Sequence, residues 1–327
     1  MKKIVYLLLF FFSLLAMGYL AGPKPEPLNL KSDLPAIPSN LAELDSFLLN
    51  KESKFDLRSE NEARIEWFGD SLHQTEWAIV YLHGFSASHP EGAPVHREIA
   101  NKLGANLFLS RLSGHGYRRE SLHDFTAESA WADAKEALAI GQKLGKKVLL
   151  MGTSTGCSYA INLAASFPKS VNALVNLSPN IRVKDPAAAL LNGPWGLEIA
   201  HLVLGDKRRI VADTAAYALY WDTLYTVNAL VELQHLLEST LVDSTFAKVK
   251  CPTLNLCFYK NEEEQDPVVS VDKIRWMHES LGSPKHKKRL VELADVGDHV
   301  LANPIKSQDP EAVRAAIEKF LEEILHK

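Results

Sequence analysis

The segment around residue 154 constrains this chain most. Val148 to Met151 reads as a short apolar strand, runs into Gly152-Thr153-Ser154-Thr155-Gly156, and is followed by a helical stretch from Cys157 to Phe167. Turning a strand into a helix within so few residues strains the backbone at the middle position. The flanking glycines remove side chains that would otherwise collide there. Ser154 is then thrust above the end of a sheet, which makes it the first candidate for nucleophilic chemistry.

The rest of the body supplies a sheet for that turn. Apolar runs recur at Trp77 to Leu82, Leu107 to Leu109, Ala173 to Leu177, Thr253 to Tyr259 and Arg289 to Leu293, with shorter strand candidates at 54 to 58 and 63 to 69. They are continuous rather than alternating, which suits parallel strands covered on both faces. Helical segments fall between them, near 95 to 103, 127 to 144, 156 to 166 and 271 to 281. The last helix has Asp309 as its cap, Pro310 in its first turn and an apolar stripe from Ala312 to Ile324. The expectation is an α/β protein with a mostly parallel central sheet flanked by helices, its core formed by residues 51 to 181 and 249 to 327.

Residues 182 to 248 carry no strand signal; Ala187 to Leu204 and Thr214 to Leu241 read as helices broken at Gly193-Pro194 and Gly205-Asp206. We read this interval as a helical cap inserted between two late strands. Tyr217, Tyr220, Trp221, Leu224, Tyr225 and Asn228 share one helical face, which either packs the cap onto the body or lines an acyl or aryl pocket. Lys207, Arg208 and Arg209 read as a solvated turn.

At the amino terminus, Lys2 and Lys3 precede an uncharged apolar run from Ile4 to Ala21. As a helix its 18 positions span about 27 Å, close to the hydrocarbon thickness of a bilayer. Residues 1 to 22 are therefore expected to be a signal peptide, with Ala16 and Gly18 as the small pair before a cut, or a membrane anchor. Either places the body outside the cytoplasm, in the periplasm or cell envelope if the source is bacterial, with membrane association through residues 4 to 21. Five prolines between Pro23 and Pro38 mark 23 to 50 as an extended linker. Cys157, Cys251 and Cys257 read as free thiols. The last two flank one strand, which holds them about 20 Å apart, too far to bridge.

With 36 basic against 40 acidic residues, net charge −4 and 23% charged residues, a basic nucleic-acid binder and a disordered chain are both excluded. No residue pattern calls for a metal or organic cofactor.

Five segments together, Tyr81-Leu82-His83-Gly84-Phe85, Leu112-Ser113-Gly114-His115-Gly116, the turn at 152 to 156, Asp266-Pro267-Val268-Val269 and Gly297-Asp298-His299, resemble the α/β-hydrolase superfamily. The resemblance covers residues 55 to 325. It points to the branch of monoacylglycerol lipases, carboxylesterases and serine aminopeptidase-like hydrolases. There the nucleophile, acid and histidine follow strand ends in the order seen here as Ser154, Asp266 and His299. A neutral serine hydroxyl is a poor nucleophile at pH 7, so His299 is expected to remove its proton. Asp266 is expected to fix the imidazole tautomer. Glu262, in the acidic run Glu262 to Glu264, is the alternative acid, and Asp298 is expected to shape its loop. The Thr155 N–H, at a helix start, is one oxyanion donor; the resemblance implies the Phe85 N–H as the other, with His83 bracing that loop. Among the other histidines, His73, His89, His96, His123 and His286 lie in polar stretches and are expected at the surface.

The resulting expectation is a serine hydrolase acting on a small-molecule ester. Short or medium acyl esters or monoacylglycerol would be its substrates, with amide or peptide hydrolysis as the rival activity. A non-catalytic, membrane-tethered scaffold with the same shell is the alternative of a different class.

Overall fold

The computed structural model describes residues 2–69, 72–212 and 214–325. Seven strands form the central sheet: β1 (Arg64–Glu66), β2 (Thr75–Leu82), β3 (Asn106–Leu109), β4 (Gly145–Thr153), β5 (Ala173–Leu177) and, after an excursion, β8 (Thr253–Phe258) and β9 (Lys288–Leu293). Their spatial order is β1-β3-β2-β4-β5-β8-β9. All pairings are parallel except β1 with β3. The central strands are mostly apolar because both faces are covered: every residue of β5 and β8 is buried, and the buried amides of Asn176 and Asn255 bond to each other at 2.8 Å.

Two layers of helices do the covering. On one face α4 (Ala127–Leu144), α5 (Thr155–Ser166) and α10 (Val271–Ser280) enclose a core that includes Val80, Leu82, Leu138, Leu150, Leu163 and Ile274. On the other, α3 (Val95–Leu103) and α11 (Pro310–Leu325) pack Ile99, Val313 and Phe320 against Ile79, Met151 and Leu256. Local chemistry sets the helix starts. Thr126 and Ser129 make a reciprocal capping box at α4, and the Asp309 carboxylate accepts from the Ala312 N–H at α11. The strand candidate at 54 to 58 is not a strand; its only sheet-like contact among the described residues is an isolated bridge from Leu57 to Tyr117.

The interval between β5 and β8 is a cap, but not a purely helical one. It holds α6 (Gly196–Leu204), α7 (Ala215–Tyr220), α8 (Val227–Thr240) and the short α9 (Asp243–Phe246). A two-stranded antiparallel ribbon joins β6 (Lys207–Arg209) to β7 (Leu224–Thr226). The expected turn at Lys207 to Arg209 is thus an edge strand. Its partner lies some fifteen residues away, so the pairing has no local signature, and it cuts the single helix expected over 214 to 241 into two.

The stretch 23 to 50 is not a linker. Its extended part lies on the body, where Leu28, Leu30, Leu34 and Ile37 pack on the core. Backbone carbonyls that an extended, proline-containing chain leaves unpaired accept from the side chains of Trp131, at Lys31 O, and Lys135, at Asp33 O. Asn40 then caps α2 (Leu41–Glu52). This helix buries Leu44 and Leu48 and pairs Glu52 with Arg111, both about 5% exposed, at 2.5 Å. Ahead of it, α1 (Lys2–Leu20) is 19 residues long with mean hydropathy 2.0 and no buried residue, so by length and composition it can cross a membrane.

Candidate active site

Ser154 occupies the turn between β4 and α5 with φ 52° and ψ −116°, a conformation that costs a non-glycine residue about 1–3 kcal/mol. Its neighbours hold it there. The Ser154 N–H donates to Leu177 O at 2.9 Å, and its carbonyl accepts from Cys157 N at 3.0 Å and Asn180 N at 3.1 Å. The flanking glycines are steric requirements. A Cβ at position 156 would lie 2.0 Å from Leu82 O, and one at 152 would lie 2.8 Å from Cys157 N.

Asp266 follows β8, and His299 sits on the loop after β9. His299 Nδ1 and Asp266 Oδ2 are 2.7 Å apart, both buried, while Asp266 Oδ1 accepts from the N–H groups of Val268 (2.8 Å) and Val269 (2.9 Å). Burial works against the Asp266 charge. The facing imidazole and the two backbone donors outweigh it and bring the carboxyl below its ordinary range. For His299, burial alone would favour the neutral ring, but the charges of Asp266 and Glu91 carry its pKa above the usual value. Glu262 takes no part in this pairing: it is exposed and accepts from the Tyr259 hydroxyl at 2.9 Å. Asp298 shapes the loop, accepting from Val300 N and facing Lys306.

Ser154 and His299 line one cavity of about 520 Å³, with Phe85 and Glu91 on the body side and Ile210, Tyr217, Trp221, Tyr225 and Leu230 on the cap side. This volume falls in the range of small-molecule sites. The cap aromatics therefore do both things that the sequence left open: Trp221 and Tyr225 are nearly buried in packing and also face the cavity. His299 Nε2 is buried and has no hydrogen-bond partner among the described residues, so no bond joins it to the Ser154 hydroxyl. In active sites of this kind such bonds commonly tighten only around bound substrate.

Two backbone donors flank the serine. Thr155 N–H opens α5, where no earlier carbonyl is available to it. Phe85 follows Gly84, whose carbonyl meets His83 Nδ1 at 2.9 Å and accepts from Ala87 N at 3.2 Å. His83 Nε2 accepts from Leu112 N at 3.0 Å, so Nδ1 is the protonated nitrogen and donates to Gly84. Burial lowers the His83 pKa to about 4, which keeps this brace neutral.

The residue missed by sequence reasoning is Glu91, a lone acid between Pro90 and Gly92 without periodicity or motif to mark it. It is 2% exposed and lines the cavity, and burial pushes its carboxyl up to about 7. Two of the histidines expected at the surface, His89 and His96, are also fully buried. His96 Nε2 meets His89 O at 3.0 Å; α3 turns the His96 ring inward, and a short 3₁₀ turn at His89–Gly92 buries that of His89, although their sequence neighbours are polar. The three cysteines are free, with Cys157 and Cys257 buried.

Comparison with known proteins agrees with this architecture. The chain is 26% identical over 218 residues to the human serine hydrolase BPHL, covering 64% of this chain and 72% of that protein. A structure from work on the metagenome-derived lipolytic enzymes LipS and LipT superposes with a TM-score of 0.64 at 18% identity, covering 82% of this chain and 99% of that one. The monoacylglycerol lipase of Paleococcus ferrophilus superposes with a TM-score of 0.57 at 16% identity, over 80% and 99% of the two chains. Residues 79–316 match the family model described as alpha/beta hydrolase family. With most of its length inside that match and its sheet built accordingly, the chain belongs to the alpha/beta hydrolase family.

Proposed function

We propose that the protein is a serine hydrolase that cleaves carboxylic esters through an acyl-enzyme. The observation that carries this reading is the buried Asp266–His299 pair beside the cavity that Ser154 lines, with Nε2 bonded to no other group among the described residues. In this reading His299 Nε2 takes the proton of the Ser154 hydroxyl as its oxygen attacks the ester carbonyl. Asp266 keeps the Nδ1–H tautomer and stabilises the imidazolium formed. The N–H groups of Thr155 and Phe85 receive the developing oxyanion. His299 then returns the proton to the leaving alcohol and activates water to release the acid.

The cap lines the cavity chiefly with apolar and aromatic side chains beside Asp185 and Arg208, which supports an acyl or aryl ester. The structural neighbours, lipolytic enzymes and a monoacylglycerol lipase, point the same way. Helix α1 supports export or membrane anchoring, with the cavity on the outer side.

A fluorophosphonate probe tests the nucleophile. Wild-type protein should label, and Ser154→Ala should abolish labelling and lower kcat by roughly 10⁴- to 10⁶-fold. A folded wild-type protein that never labels would return the scaffold reading. A panel of p-nitrophenyl esters, monoacylglycerols and aminoacyl arylamides tests the bond cleaved; turnover of the arylamides alone would replace esterase with amidase.

A further inference from the structure

Glu91 differs from Asp185, Arg208, Asp298 and Lys306 on the same cavity wall in being buried. Its carboxylate is buried beside the nucleophile, yet no lysine or arginine pairs with it among the described residues. A buried carboxyl that faces an imidazole rather than a lysine or arginine is costly to ionise and persists where local donors hold it for a purpose. Here the principal donor is the Gly84 N–H, 2.7 Å from Oε2. The Tyr81 hydroxyl stands at 3.5 Å.

The placement of Gly84 gives this bond its meaning. A Cβ built there would lie 3.0 Å from Glu91 Oε1 and 3.2 Å from Ser154 Cβ, so the carboxylate and the nucleophile pack on the same side of this residue. The Gly84 carbonyl is already held by His83 and Ala87. With its N–H held by Glu91, both peptide planes that meet at Gly84 are fixed, and the second of them carries the Phe85 N–H. Glu91 is anchored in turn: Asn303 Nδ2 donates to the carbonyl of its neighbour Pro90 at 2.7 Å. The cap reaches the same loop. Asp222 N donates to Ser86 O at 2.6 Å, and Ser88 Oγ donates to Tyr220 O at 2.9 Å.

We propose that Glu91 is a positioning residue of the oxyanion loop: by accepting the Gly84 N–H, its carboxyl fixes the His83–Gly84 peptide and so the start of the next one, which presents the Phe85 N–H to the substrate oxygen. The proposal rests on the hydrolase reading above for its kinetic consequence, but not for its structural one.

The test uses the full chain with Glu91→Ala and Glu91→Gln, because the glutamine oxygen can still accept the Gly84 N–H whereas alanine cannot. One arm needs no activity: hydrogen exchange of the amides at residues 84 and 85 should accelerate in the alanine variant and stay near wild type in the glutamine variant. The second arm is hydrolysis of p-nitrophenyl acetate. Loss of a whole oxyanion donor costs about 10²–10³ in kcat, so loosening one should lower kcat by roughly tenfold to a few hundredfold in Glu91→Ala, with KM changed less than about threefold. Glu91→Gln should restore most of that loss. The proposal is overturned by unchanged exchange and kcat in the alanine variant, or by a glutamine variant as impaired as alanine. If alanine prevents folding, Glu91→Asp, one methylene too short to reach Gly84, takes its place in the same contrast. A wild-type protein that neither hydrolyses the ester nor labels with fluorophosphonate would reject the hydrolase reading, while the exchange arm still decides the role of Glu91.

Discussion

Replacing Asp266 by asparagine changes one atom, yet the surrounding donors dictate a large effect. Three donors converge on this carboxylate: the N–H groups of Val268 and Val269 on Oδ1, and His299 Nδ1 on Oδ2. An asparagine has a single oxygen for them. If that oxygen stays on the two backbone donors, both bonds survive and the NH2 group faces Nδ1. If it turns to His299, the NH2 group meets two N–H donors and both bonds are lost, at about 1 kcal/mol each plus desolvation. The first orientation is therefore favoured by about 2 kcal/mol. It forces Nδ1 to accept and puts the ring proton on Nε2, the nitrogen that must take the Ser154 proton. Such a tautomer reversal lowers kcat by about 10⁴, or roughly 5 kcal/mol of barrier. The assay is p-nitrophenyl ester hydrolysis beside a urea melt, with Glu262→Gln as a control expected to stay within about twofold, since its only partners are local to its own loop. An Asp266→Asn variant that folds and keeps more than about a tenth of wild-type kcat would refute the tautomer argument.

Other consequences are testable in the same preparations. Burial lowers the His299 pKa, but Asp266 and Glu91 raise it more, so the acid limb of kcat/KM should have its midpoint above pH 6.5; a midpoint below that value contradicts the placement of those charges. Burial holds His83 at a pKa of about 4 and His96 at about 3 in the fold, against about 6.5 when unfolded. The unfolded chain therefore binds protons first as pH falls, and each histidine removes about 2 kcal/mol of stability by pH 5, from 1.5 pH units at 1.36 kcal/mol per unit. Equal urea midpoints at pH 7 and pH 5 would oppose this. Glu52→Ala leaves Arg111 buried without its partner and the Ala63 N–H without its acceptor. It should cost about 3–5 kcal/mol in urea unfolding, and a loss under about 1 kcal/mol would mean that α2 is dispensable.

Much of the sheet was legible because its determinants are local. Strands buried on both faces are largely apolar, so Trp77 to Leu82 and Ala173 to Leu177 announce themselves, and Asp309 with Pro310 marks the last helix by capping chemistry. The errors share one cause. Lys207 to Arg209 became a strand through pairing with distant Leu224 to Thr226. His89 and His96 stand among polar residues, but the 3₁₀ turn before α3 and α3 itself bury them. Residues 23 to 50 were judged by their prolines, yet the surface they lie on is assembled from α4 and the core.

What residue order alone determined was the strained serine: two glycines at fixed spacing, between an apolar strand and a helix, suffice to specify that backbone wherever the chain folds. Which carboxylate meets His299, and that a second acid at position 91 stands beside the nucleophile, were decided only when separate strand ends were brought to one rim of the sheet. A side chain's charge and partners depend on burial and on donors from remote segments, and these exist only in the packed structure.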